Sequence, residues 1–232
     1  MLKVADAIAI IEARSHDPFS VLGQHRIADG WEIRAFLPGA RTAFVDTPTG
    51  PASMRRIDTR GFFVHQAEQA LAAPYRLMWE SDGTRLESYD PYCFPAQITD
   101  YEIYLFNEGR LLAAHRTFGA HCAVAEGVAG VRFAVWAPNA ERVSVVGDFN
   151  AWDGRRHPMR SRGTSGTWEI FLPELAAGQR YKFEIRSRSG AVMLKTDPYG
   201  QQYEQRPGNA AIISAPPAYR WGDAAWLPPQ YR

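Results

Sequence analysis

Cysteine is scarce. Cys93 and Cys122 are the only two in 232 residues, and they fall in separate halves. Two isolated, partly buried thiols fit a reducing cytoplasm, with a disulfide as the alternative that the spacing does not demand. An excess of one charge is lacking too. The net charge is +1, which offers no electrostatic footprint for nucleic acid or a membrane surface. No apolar run approaches the roughly 18 residues of a membrane helix. Asp6 and Glu12 interrupt the N-terminal apolar stretch, so it makes a poor secretory signal. Catalytic signatures are missing: there is no G-x-S-x-G, H-E-x-x-H, C-x-x-C or phosphate-binding loop, and nothing calls for a cofactor. His115 and His121 lie near Cys122 without a fourth ligand at zinc spacing, so no metal site is expected. The carboxylates Glu102, Glu108, Asp148, Asp153 and Asp197 are scattered, and no catalytic acid–base pair is assigned.

Glycine, proline and tryptophan are plentiful at 19, 16 and 7 residues, which favours short strands and many turns. Val4, Ile8 and Ile11 sit at helical spacing and predict a short amphipathic helix over about residues 3–14. Asp17-Pro18 stops it. Trp31, Ile33 and Ala35 alternate with Glu32, Arg34 and Phe36, the pattern of a half-buried strand. Thr42 to Val45, Gly61 to Val64 and Tyr75 to Trp79 read as further strands. Residues 46–60 read as polar and turn-rich, and Ser81-Asp82-Gly83-Thr84 as a hairpin turn.

The second half repeats these landmarks about 100 residues later, a tandem-domain period and not a solenoid one. Phe36-Leu37-Pro38-Gly39-Ala40 returns as Trp136-Ala137-Pro138-Asn139-Ala140. Phe63 returns as Trp168, Tyr75-Arg76-Leu77 as Tyr181-Lys182-Phe183, and Asp90-Pro91-Tyr92 as Asp197-Pro198-Tyr199. About seven short strands per copy predict an all-β chain of two tandem immunoglobulin-like β-sandwich domains. The Cys…Trp…Cys pattern of antibody domains is absent, so this likeness is architectural. A short linker around 100–112 reads as helix, broken at Asn107-Glu108-Gly109.

The copies differ at Gly147-Asp148-Phe149-Asn150-Ala151-Trp152-Asp153, whose counterpart Asp46-Thr47-Pro48-Thr49-Gly50 has no aromatic residue. An amide and two carboxylates around one indole suit a polyhydroxylated ligand. Covering about 50–70 Å² of apolar sugar face is worth roughly 1.2–1.8 kcal/mol. A few hydrogen bonds bring the total to around millimolar affinity. The alternatives are that Trp152 caps the core or an interface and that Asp148, Asn150 and Asp153 cap the loop backbone.

The run Val145 to Met159 is very similar to the corresponding stretch of bacterial 1,4-α-glucan (glycogen) branching enzymes. Phe118-Gly119-Ala120-His121, Arg132 to Ala140 and Leu194-Lys195-Thr196-Asp197-Pro198-Tyr199 match as well. Asp17-Pro18-Phe19-Ser20-Val21-Leu22-Gly23 onward resembles the additional N-terminal module of the longer bacterial enzymes. The resemblance implies an N-terminal module with a leading helix at 1–98, a linker at 99–114 and a glycogen-binding-type module at 115–215. An extension at 216–232 would lead toward a catalytic (β/α)₈ barrel of the α-amylase superfamily, a glycosyltransferase whose motifs are not in this sequence.

On that resemblance the chain is a cytoplasmic, catalytically inactive portion of a branching enzyme. It would bind α-1,4-glucan or glycogen weakly and pack on the barrel. Related modules, including the glycogen-binding domain of the AMP-activated kinase β subunit, align sugar-contacting Trp, Lys and Asn with Trp152, Lys182 and Asn209. Their second platform tryptophan would fall near Val192 or Met193, where none stands. Lys182 on a solvated strand face and Asn209 as a turn residue are the plainer alternatives. So is a scaffold protein that docks a partner through Trp221 and Trp226.

Overall fold

Turn chemistry divides the chain as the sequence predicts. Asp82 and Gly83 both take positive φ, 50° and 74°, which closes a two-residue hairpin between strands at 76–81 and 84–89. The computed structural model describes residues 2–215 and Gly222; apart from Gly222, the 216–232 extension with Trp221 and Trp226 lies outside the described residues.

Helix α1 (Val4–Ile11) precedes seven strands: β1 (Gly23–Ile27), β2 (Gly30–Phe36), β3 (Thr42–Thr47), β4 (Gly50–Asp58), β5 (Phe62–Ala67), β6 (Arg76–Ser81) and β7 (Thr84–Tyr89). They pair in the order β1-β2-β5-β4-β3-β6-β7. The stretch read as turn-rich is the nine-residue β4. Its first half pairs with β3 and its second with β5, so it carries the chain from one layer to the other. Most of its side chains are exposed, which is why no apolar alternation marks it.

Helices α2 (Asp100–Asn107) and α3 (Ala114–Thr117) follow, then β8 (Gly119–Ala125), β9 (Val128–Trp136), β10 (Ala140–Gly147), β11 (Arg160–Ser161) and β12 (Thr167–Pro173). The series ends with β13 (Arg180–Ser187), β14 (Val192–Lys195), β15 (Gln202–Tyr203) and β16 (Ala211–Ile212). One sheet runs β11-β12-β9-β8 and the other β10-β13-β16-β15, with β14 also on β13. Strands β9 and β10 lie in different sheets, because Pro138-Asn139 turns the chain across the sandwich. Val131, Phe133, Val135, Val143, Val145, Trp168, Tyr181 and Phe183 fill the core between the sheets.

The repeat reaches individual bonds. Tyr75 Oη donates to Asp90 at 2.8 Å, and Tyr181 Oη donates to Asp197 at 2.6 Å. The amides of Tyr92 and Tyr199 donate to those same carboxylates. His25 Nε2 bonds Leu22 O, and His121 Nε2 bonds Phe118 O. Each sandwich also carries a helix on its outer face. α1 covers Phe36, Phe62 and Val64; α2 covers Ala134 through Ile103. The alternation on β2 therefore does not mark a solvated side. Glu32 and Arg34 are buried and ion-paired at 2.7 Å.

The two units pack on each other. Phe94 meets Phe171 at 4.9 Å, His16 meets Trp168 at 5.2 Å, and Arg160 lies 3.8 Å over the Phe19 ring. Both cysteines are free thiols. No described helix is long and apolar enough to cross a membrane.

Candidate functional site: an outer sheet face under the Trp152 loop

Copy one joins β3 to β4 through Pro48-Thr49. Copy two inserts the loop 148–156 at the same place, after β10. Gly147 is required there, because a Cβ on it would lie 2.2 Å from Arg180 O. Ala151 and Trp152 then both adopt left-handed geometry, at φ 55° and 59°. Each such non-glycine residue costs about 1–3 kcal/mol. The amides of Trp152 and Asp153 hold the turn by donating to Gly147 O and Asn150 O.

Asn150 frames this turn from inside and is only 3% exposed. Its Oδ1 accepts from the Gly147 amide at 2.9 Å, and its Nδ2 donates to Val145 O at 2.9 Å. Those two partners fix the amide orientation, so the 2.9 Å contact from Nδ2 to His157 Nδ1 makes that nitrogen an acceptor. His157 is therefore neutral, with its proton on Nε2. Burial and the neighbouring Arg156 push its pKa down to about 4. With both Nδ2 protons used inside the loop, Asn150 serves as a frame.

Asp148 faces outward and accepts from Arg180 through both oxygens and from Trp152 Nε1 at 3.2 Å. These bonds, Arg180 foremost, hold its carboxyl below the usual range. Arg180 also donates to Glu204, whose carboxylate receives the Ala210 amide. Lys182 Nζ bonds Asn209 Oδ1, and Thr196 Oγ1 donates to Asn209 O. The residues expected at the site thus share one polar chain on the outer face of β13: Trp152, Asp148, Arg180, Glu204, then the Ala210 amide beside the Asn209–Lys182 pair. Trp152 is 36% exposed, so its ring is neither buried core nor free in solvent.

Three features were not read from the sequence. Arg180 and Glu204 link the two halves of the site. Leu194 pairs with Glu184 and Val192 with Arg186, and directly paired residues share a face, which puts both exposed apolar side chains on the face of Lys182, Leu194 the nearer to it. The alternation of Val192 and Leu194 on β14 was the available signal. The equivalent face of copy one is committed elsewhere: Arg76, the counterpart of Lys182, pairs with Glu174 of copy two and lies 4.3 Å over Tyr89.

Two buried groups respond to acid in opposite directions. Asp90, 1% exposed, is raised by burial from 3.8 to about 6. A raised carboxyl contributes stability that is present below 3.8 and lost as pH rises through 6. His157 is depressed from 6.5 to about 4, so its contribution is present above 6.5 and lost as pH falls through 4. Each amounts to something on the order of 3 kcal/mol, and between pH 6.5 and 4 the two nearly cancel. Asp90→Asn is expected to steepen the acid loss of stability, and His157→Gln to turn it into a gain. Urea midpoints at pH 7, 5.5 and 4.5 test both signs; parallel pH profiles for the three proteins would refute them.

Residues 3–92 match the family described as alpha-1,4-glucan branching enzyme GlgB, N-terminal domain. Residues 117–200 match Carbohydrate-binding module 48 (Isoamylase N-terminal domain). The chain is 50% identical over 219 residues to the 1,4-alpha-glucan branching enzyme GlgB of Methylobacillus flagellatus, covering 94% of this chain and 30% of that protein. It is 49% identical over 225 residues to the same-named protein of Nitrosospira multiformis, with the same two coverages. The chain thus spans about 30% of the length of these curated relatives. A pullulanase structure from Anoxybacillus sp. LM18-11, complexed with maltotetraose, covers 84% of this chain and 26% of its own at 13% identity, with a TM-score of only 0.36.

Proposed function

We propose that this chain, which joins a branching-enzyme N-terminal domain to a carbohydrate-binding module of family 48, holds α-1,4-glucan on the outer face of β13. The observation that carries the reading is the convergence of Trp152, Lys182 and Asn209 on that face. The indole covers the C–H face of a glucose ring. Lys182 has ammonium protons beyond the one given to Asn209, and Asn209 keeps its Nδ2 donors, so the pair serves vicinal hydroxyls. Asp148 and Asn150 position the indole: Asp148 through Nε1, Asn150 through the backbone of the turn. Binding is weak at one site and gains on a polymer, where neighbouring chains raise the local concentration.

In the whole branching enzyme this portion presents glucan to the catalytic barrel and packs on it. The 1–98, 99–114 and 115–215 division is retained as part of this reading. In native gels containing glycogen the chain is expected to be retarded. Trp152→Ala should weaken that retardation about tenfold, from the loss of roughly 1.2–1.8 kcal/mol of face contact. Equal retardation of the two proteins would move the site elsewhere, and no retardation of either would favour a docking module.

A further inference from the structure

Behind the Trp152 loop, the two units leave a cleft of about 340 Å³. Protein interiors leave few voids larger than a water molecule, and ligand sites begin at about 300 Å³. The first unit contributes Trp79 and Tyr89; the second contributes Phe149, Arg156, His157 and Gln179. The interface is packed elsewhere, through Phe94 on Phe171 and Arg160 on Phe19. The cleft is therefore a built feature beside a well-packed contact.

Two of its polar side chains, Arg156 and His157, carry donors without an acceptor. Arg156 gives one Nη2 proton to Pro38 O, its Nε faces Asp153 at 3.9 Å, and its Nη1 makes no hydrogen bond to the described residues. His157 must carry its proton on Nε2, and that group makes no hydrogen bond to the described residues. The half-buried Gln179 also lines the cleft, and its side-chain amide carries both a donor and an acceptor. Charge is balanced: Asp153 lies 3.9 Å from Arg156, and Glu174 pairs with Arg76. An anion or a cation would find no excess of the opposite sign. Aromatic walls, unspent donors and balanced charge together select a neutral polyol with an apolar ring face.

We propose that this inter-unit cleft is a second carbohydrate site, which takes the end of a short α-glucan against Trp79. Its oxygens accept from Arg156 and His157. The choice of glucan over another neutral sugar rests on the reading of the Trp152 face; the cleft itself does not.

Indole ¹H–¹⁵N resonances of the 1–232 chain, titrated with maltotriose, separate the two sites. Trp79 and Trp152 are both expected to shift, on different saturation curves. In Trp152→Ala the Trp79 shift should persist. In Gln179→Phe, which fills the cleft from a partly exposed position, it should fall at least fivefold while the Trp152 shift remains. If that variant does not fold, Gln179→Ala should weaken the Trp79 response about threefold. A Trp79 resonance that stays still while Trp152 saturates overturns the cleft site. So does a Trp79 shift that vanishes in Trp152→Ala, or one produced by cyclohexanol and not by maltotriose. Movement of Trp79 with Trp152 unmoved would instead overturn the outer-face reading and leave the cleft standing.

Discussion

Glu169→Ala is expected to lower the free energy of unfolding by about 3–5 kcal/mol, the scale for stranding one partner of a buried ion pair. Glu169 is 2% exposed and lies on the outer side of β12, under the segment that joins the two units. Its Oε2 accepts the amides of Gln97 and Ile98 at 2.9 and 3.0 Å. Its Oε1 receives Arg162, which also donates to Ile98 O at 2.6 Å and to Asp100 at 2.5 Å. Truncation leaves two amides without their acceptor and a guanidinium without its buried counter-charge. The segment then keeps the packing of Phe94 on Phe171 and of Ile98 in the Phe118–Ala134 cluster, with Arg160 on Phe94 O and Arg162 on Ile98 O. Chemical denaturation should show the lower midpoint, and limited proteolysis should find new cleavage at residues 94–99. A loss under about 1 kcal/mol would mean that these bonds are replaced by water at little cost. Glu169→Gln, which keeps one acceptor oxygen, should fall between the two proteins.

Asn150→Ala is expected to cost about 3–5 kcal/mol and to weaken glucan binding more than tenfold, although Asn150 does not face the ligand. Three buried partners lose their bonds at once: the Gly147 amide, Val145 O and His157 Nδ1. An unsatisfied buried group costs about 1–3 kcal/mol. Asn150 is also the brace that keeps Ala151 and Trp152 in left-handed geometry, so its loss lets the turn relax and carries the indole away from Asp148. Binding at a temperature where the variant stays folded separates the two effects. Unchanged affinity there would show that the indole is held without this frame.

The helix of copy one, the hairpin at Asp82-Gly83 and the tandem repeat were legible because each depends on neighbours in sequence. The repeated Asp-Pro-Tyr is legible for a physical reason: both copies need a buried carboxylate for one tyrosine hydroxyl and one amide. Strand β4 escaped because it pairs on both edges while showing most side chains to water. The charges of Glu32 and Arg34 read as a solvated face because alternation does not reveal a helix laid across a sheet. At the site, Trp152 and Asp148 could be nominated from composition, and Lys182 and Asn209 only from resemblance. Arg180 and Glu204 were invisible, since Arg180 meets Asp148 at a separation of 32 residues and Glu204 at 24, and Glu204 meets the Ala210 amide at 6.

The central claim is that one face of one unit holds the glucan. Backbone amide shifts of the 1–232 chain during titration with maltoheptaose test it most directly. The largest shifts are expected at Trp152, Lys182, Leu194 and Asn209, with smaller ones at the cleft. The equivalent face of copy one, at Phe44, Arg76 and Met78, should stay unmoved. Shifts centred on that first face, or no shift at Trp152 and Asn209, would contradict the assignment.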